Sequence, residues 1–266
     1  MKHTIKITSI LLVMFFITQL VGLFVVNQYS PQVIQTTNEN GTTINKTIYN
    51  LPYSMDPPQG IEPTSSLISI IFALFFAIII MLVLIRYKTQ FLLRTWFFIV
   101  VILALSISLN SLILKIPYSQ YLVLIFSIPL AYYKIYKRNI ILHNLTEMVI
   151  YPGIASIFVP ILNIWSVIIL LVLISIYDMW AVWHVGFMQK MAKYQIQHLK
   201  VFSGFFIPYF GKQDKENMKK LKNSKNKKIK VNVAILGGGD VVFPIILAGV
   251  VFNTMGLLQA LIISIG

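Results

Sequence analysis

Apolar runs of about twenty residues recur along this chain, and no other feature limits its fold as severely. They lie at Ile7–Val26, Leu67–Ile85, Thr95–Leu114, Tyr118–Tyr136, Met148–Val159 (with a start a few residues earlier), Ile164–Val185 and Val231–Val251. An eighth begins near Thr254 and stops at Gly266, too short to cross a bilayer unaided. A helix satisfies its backbone polar groups internally, which hydrocarbon demands. The runs are continuous rather than alternating, which argues against a barrel. Only 11% of the residues are charged, where soluble domains carry about a quarter. The expected fold is all-α: a polytopic membrane helical bundle of seven full spans and a truncated eighth.

Charge threads the spans. The net charge of +14 would suggest nucleic acid in a soluble protein, but here Lys and Arg gather in short loops. A cytosolic N-terminus puts residues 86–94, 136–144 and 186–230 inside and 27–66, 115–117 and 160–163 outside. Nearly every Lys and Arg then falls inside. The first run follows Lys2, His3 and Lys6 with no clear small-x-small cleavage site, so it reads as an uncleaved span of a multi-pass cell-membrane protein. Glycosylation-type triplets at Asn40 and Asn45 agree weakly with an outer loop, and the one at Asn144 reads as chance.

Three units follow: residues 1–185 as a six-span bundle, 186–230 as a cytosolic loop, and 231–266 as a glycine-rich span with the start of another. The lysine-rich run Gly211–Lys230 reads as a solvated loop drawn to anionic lipid headgroups. It lacks the interleaved aromatics of a nucleic-acid patch, so no nucleic-acid partner is expected. The chain has no cysteine, which rules out disulfides and thiolate chemistry.

Of eight acids, Glu39, Asp56, Glu62, Asp214 and Glu216 fall in loops, and Glu147 at the start of the fifth span, where a carboxylate suits a helix N-terminus. Asp178 and Asp240 lie well inside spans, where acids are functional by default. Asp178 is near the inner end of a span running inward, Asp240 near the inner end of one running outward. At 1.5 Å per residue both sit roughly 10–14 Å from the same boundary. Two facing carboxylates in a low dielectric cannot both ionise, so they share a proton. One can then activate a water while the other polarises a scissile carbonyl. Which does which stays open, because a coupled pair titrates as a unit. Such chemistry needs no metal or other cofactor. The histidines His3, His143, His184 and His198 are scattered and read as interfacial or loop residues. Around Asp240, Gly237, Gly238, Gly239 and Pro244 should loosen the helix, making room for water and substrate.

At these residues the chain resembles the presenilin and signal-peptide-peptidase family of intramembrane aspartyl proteases. That family carries Tyr-Asp in its sixth span and Gly-x-Gly-Asp in its seventh; here they stand as Tyr177-Asp178 and Gly237-Gly238-Gly239-Asp240. The resemblance extends through Tyr177–Trp183 and looks most like the archaeal, unprocessed members. It implies catalytic roles for Asp178 and Asp240, a shaping role for Tyr177 and the glycines, and transmembrane-helix substrates that partly unwind before cleavage. The family's ninth span with Pro-Ala-Leu has no counterpart here, so the expectation is a truncated sequence or a degenerate member.

Two other readings compete. A prepilin-peptidase-like protease shares Gly-x-Gly-Asp, but usually has Lys soon after it, where this chain has Val241-Val242-Phe243-Pro244. A proton-coupled transporter or channel would use both acids as a relay, but should show an internal repeat, and none is evident. Oligomeric state is open.

Overall fold

The computed structural model describes residues 5–37, 43–57, 63–87, 89–114, 116–137, 139–180, 203–209 and 232–265. In chain order they form α1 (Ile5–Gln28), β1 (Gln32–Thr37), β2 (Thr43–Ile48), α2 (Pro63–Arg86), α3 (Gln90–Asn110), α4 (Ser119–Tyr136), α5 (Ile140–Phe158), α6 (Ile164–Trp180), β3 (Gly204–Tyr209), β4 (Asn232–Gly237), α7 (Gly238–Met255) and α8 (Leu257–Ile265). Five of these helices, α1, α2, α3, α5 and α7, are long and apolar enough to cross a membrane; α6 is shorter and equally apolar. The chain is mostly helical, consistent with a polytopic membrane protein. The lysine-rich run Gly211–Lys230, His184, His198 and Asn40 lie outside the described residues.

Two features depart from an all-α bundle. Strands β1 and β2 form an antiparallel hairpin after α1, and β3 and β4 form a second antiparallel pair. The second pair replaces the first third of the expected seventh span. From Val233 to Ile235 the side chains alternate exposed, buried, exposed, a strand period that mean hydropathy does not register. Gly237, Gly238 and Gly239 are three poor helix formers in succession, and α7 starts only at Gly238. The loosened helix expected around Asp240 is thus a strand-to-helix junction, with Pro244 inside an otherwise continuous helix.

α5 also starts earlier than the hydropathy boundary near Met148. Asn139 caps it, its Oδ1 accepting from the amides of Ile141 and Leu142 at 3.0 and 3.2 Å. α5 is the hub of the bundle, packed against α1, α3, α4, α7 and β3. Its crossing with α3 is set by Gly153: a Cβ there would lie 2.0 Å from the Ala104 carbonyl oxygen, so only glycine allows the backbones this close. Val101, Ala104, Leu105, Ile150, Tyr151 and Ile245 are among the buried core side chains around it.

α1 and α7 run parallel. Gln19 Nε2 donates to the Val241 carbonyl at 3.1 Å, Gly22 meets Ile245, and Ser30 Oγ lies 2.8 Å from Asn253 Oδ1. α7 therefore begins beside the interior of α1, not beside its end. The β3–β4 pair sits against the bundle, with β3 touching α1, α5 and α7. Non-helical backbone at such depth is tolerated where protein covers it.

Candidate active site

Asp178 is on the last described turn of α6, and Asp240 is in the first turn of α7. α6 packs against α7. The two carboxylates lie within electrostatic reach of each other. Asp178 is half-buried and Asp240 exposed. Among the described residues neither forms an ion pair or hydrogen bond. Two acids are thus brought together with no ion-pair partner among the described residues.

The other sequence-predicted residues divide around this pair. Tyr177 is half-buried beside Asp178. Gly237 is the last residue of β4, and a side chain there would come within 3.1 Å of Asp240 Oδ2. Gly238 is enclosed: a Cβ would meet Ser203 Oγ at 2.9 Å and Tyr151 Oη at 3.0 Å. Gly239 rests on the Phe243 ring with ordinary contacts. Pro244 is one turn beyond Asp240; lacking an N–H, it leaves the Asp240 carbonyl without its helical donor. Among the described residues no group of three or more His, Asp or Glu side chains is placed to hold a metal ion.

A second polar cluster stands behind the junction, and sequence reading missed it. Lys134 Nζ on α4 bonds Glu147 Oε1 on α5 at 2.6 Å, with both side chains almost fully buried. Glu147 is therefore not a helix-start carboxylate but an ion-pair partner two turns inside α5. His143, expected in a loop, is buried in the same cluster, with Nδ1 3.4 Å from Lys134 Nζ and Nε2 2.9 Å from the Gly204 carbonyl. Ammonium only donates, so Nδ1 accepts and Nε2 carries the proton given to Gly204. The 3.4 Å approach of His143 Nε2 to Glu147 Oε1 is then a secondary contact of a neutral ring, not a salt bridge. The available signal was a lysine and a glutamate inside consecutive apolar runs, each costly unless paired with the other. Gln19, a buried amide inside the first run, left the same kind of mark.

A family model described as signal-peptide peptidase, presenilin aspartyl protease matches residues 21–263. That span covers most of the chain, from α1 through α8. The chain belongs to this family. As a member of the signal-peptide peptidase and presenilin family, it is a multi-pass membrane protein of an intramembrane aspartyl protease class. Family membership carries protease activity, transmembrane substrates and a membrane setting at that coarse level. Comparison with curated proteins and with solved structures gave no match.

Proposed function

We propose that Asp178 and Asp240 are the catalytic pair of an intramembrane aspartyl endopeptidase that cleaves transmembrane helices. One observation carries the reading: the two carboxylates lie within electrostatic reach on helices that pack together and have no ion-pair partner among the described residues. A pair of that kind holds one proton between its members. The ionised member takes a proton from water as it attacks the scissile carbonyl carbon. The protonated member donates to the carbonyl oxygen, and a proton then passes to the leaving amine. The partial exposure of both acids gives water and substrate access from the side of the bundle.

In this reading the N-terminus and residues 186–230 face the cytosol of a cell-membrane protein, and residues 27–66 face outside. The run 211–230 meets anionic headgroups. Residues 1–185 and 231–266 each supply one aspartate. Tyr177 and the three glycines shape the space around them.

The test is direct. The purified full-length chain, reconstituted in lipid vesicles, is given a synthetic peptide comprising a single transmembrane helix. Cleavage should appear with wild type and vanish with Asp178→Ala and with Asp240→Ala, while both variants keep the wild-type helical content. Cleavage that survives either substitution sinks the proposal. Proton flux across the same vesicles that depends on both aspartates, without cleavage, would replace it with the relay reading.

A further inference from the structure

The ion-paired cluster on α4 and α5 is joined to the strand-to-helix junction by an unbroken set of contacts. His143, Glu147 and Tyr151 are spaced by four on α5 and so form one stripe on its face. His143 Nε2 donates to the Gly204 carbonyl at 2.9 Å, and the Gly204 amide points to Glu147 Oε1 at 3.4 Å. The adjacent Asn144 grips Phe206 from both sides: its Nδ2 donates to the Phe206 carbonyl at 3.0 Å, and its Oδ1 accepts from the Phe206 amide at 3.2 Å. These side chains act as a third strand along the edge of β3 that β4 does not occupy. Gly204 is paired directly with Gly237, the first glycine of the motif. One helical turn beyond Glu147, Tyr151 stacks edge-on against Phe205 at 5.6 Å, and its hydroxyl fills the space above Gly238. Asp240 follows two residues later.

We propose that Glu147, held by Lys134 and His143, is a positioning residue that fixes the β3–β4 pair and through it the placement of Asp240 opposite Asp178. The inference rests on the proposed protease reading. Nothing in the cluster touches the aspartates, so it acts through the backbone of Gly204, Gly237 and Gly238. Glu147 Oε2 and Tyr151 Oη are buried without a hydrogen bond of good geometry among the described residues. The stripe thus carries two polar atoms into the contact with the junction, a burial that costs free energy.

The experiment separates positioning from mere stability. Glu147→Gln leaves Lys134 without its counter-charge, so its effects mix both. The charge-free variant Lys134→Met/Glu147→Leu removes both ions and should recover the melting temperature of wild type. Four quantities are measured on full-length protein in lipid vesicles: melting temperature, kcat and KM for a synthetic transmembrane-helix peptide, and amide hydrogen exchange at Gly204 and across 232–240. The expected result for the charge-free variant is a wild-type melting temperature, an unchanged KM, and kcat lower by roughly 10- to 100-fold, the scale of a small misplacement of a catalytic group. Exchange at Gly204 should be faster than in wild type. A charge-free variant with both normal stability and normal kcat overturns the proposal and makes Glu147 purely structural. If wild type cleaves no peptide, the protease reading falls by itself. The exchange measurement still decides this one: unchanged protection at Gly204 and 232–240 in the folded charge-free variant overturns it.

Discussion

Two carboxylate sites lie close together in this molecule and are built on opposite plans. Glu147 is almost fully buried, bonded to Lys134 at 2.6 Å and flanked by His143. Asp178 is half-buried and Asp240 exposed, neither has an ion-pair partner among the described residues, and they lie within electrostatic reach of each other. An acid kept in apolar surroundings for structure needs a partner of opposite charge. One kept for chemistry is left free to exchange its proton. In the proposed reading the contrast separates a structural acid from a catalytic pair where residue type alone does not, since all three are acids inside or beside apolar runs.

The largest expected effect falls on the free pair. Asp178→Asn or Asp240→Asn should lower kcat for a transmembrane-helix peptide by roughly 10²–10⁴-fold or more, the range of a lost general acid or base. The double variant should be no worse than either single one, because the pair acts as a unit. Melting temperature should hold in all three, since no ion pair among the described residues is broken. A clear fall in stability would mean that an unseen cation balances the pair, and the contrast with Glu147 would collapse.

The next effect falls on the paired acid and has the opposite signature. Glu147→Gln strands a buried lysine and should cost about 3–5 kcal/mol of stability. Lys134→Met/Glu147→Leu should recover nearly all of it, because buried ion pairs replaced by apolar side chains are often neutral. Thermal melts of the two variants side by side make the check. If Glu147→Gln costs nothing, Lys134 reaches water and the cluster is not the closed structural site described above.

Much of the bundle was legible because apolar run length maps onto helix length. α1 and α4 fall within two residues of the runs at Ile7–Val26 and Tyr118–Tyr136. Boundaries failed where polar side chains are buried through partners. The run for α5 was placed near Met148, with a start a few residues earlier, because His143 and Asn144 look like loop residues and Glu147 like a helix-start carboxylate; in the structure β3 and Lys134 partner them, and the helix extends back to Ile140. The β3–β4 pair was hidden for a different reason. Asn232–Gly237 is apolar enough to continue a span, and hydropathy does not tell a buried strand from a helix. Both proposed catalytic aspartates were legible as candidates because an acid in an apolar run stands out alone. The Lys134–Glu147 pair was missed because its members are thirteen residues apart on different helices, and only packing joins them.

Packing at the hub gives a third, smaller effect. Gly153→Ala puts a methyl group where the Ala104 carbonyl oxygen stands, 2.0 Å from the new Cβ. Backbone cannot rotate away as a side chain can, so α3 and α5 must separate. The cost should be about 1–3 kcal/mol, the usual range for overpacking. Denaturant melts measure it. Because α5 carries the Glu147 stripe, kcat should fall as well, whereas the same substitution at the exposed Gly239 should leave stability near wild type.

The smallest effect tests whether the buried-and-partnered plan extends beyond charged groups. Tyr29, just past α1, donates to the Ile107 carbonyl at 2.7 Å and accepts from Asn110 Nδ2 at 3.2 Å; Ser119 Oγ in turn donates to Asn110 Oδ1 at 2.7 Å. The network ties α1, α3 and α4 together at the end of α1 remote from β3. Tyr29→Phe should cost about 1 kcal/mol, a single net hydrogen bond. Burial pushes the Tyr29 hydroxyl from its usual 10.0 up to about 12. The folded state therefore holds this proton after the unfolded chain has released it. Its contribution is complete below pH 10 and is lost as pH rises toward 12. Chemical denaturation across that range should show wild-type stability falling more steeply than that of Tyr29→Phe, with the two curves meeting and then crossing toward the alkaline end. Parallel curves would mean that Tyr29 ionises freely in the folded protein. The network would then be open to water, and the buried-and-partnered plan would be confined to the Lys134–Glu147 cluster.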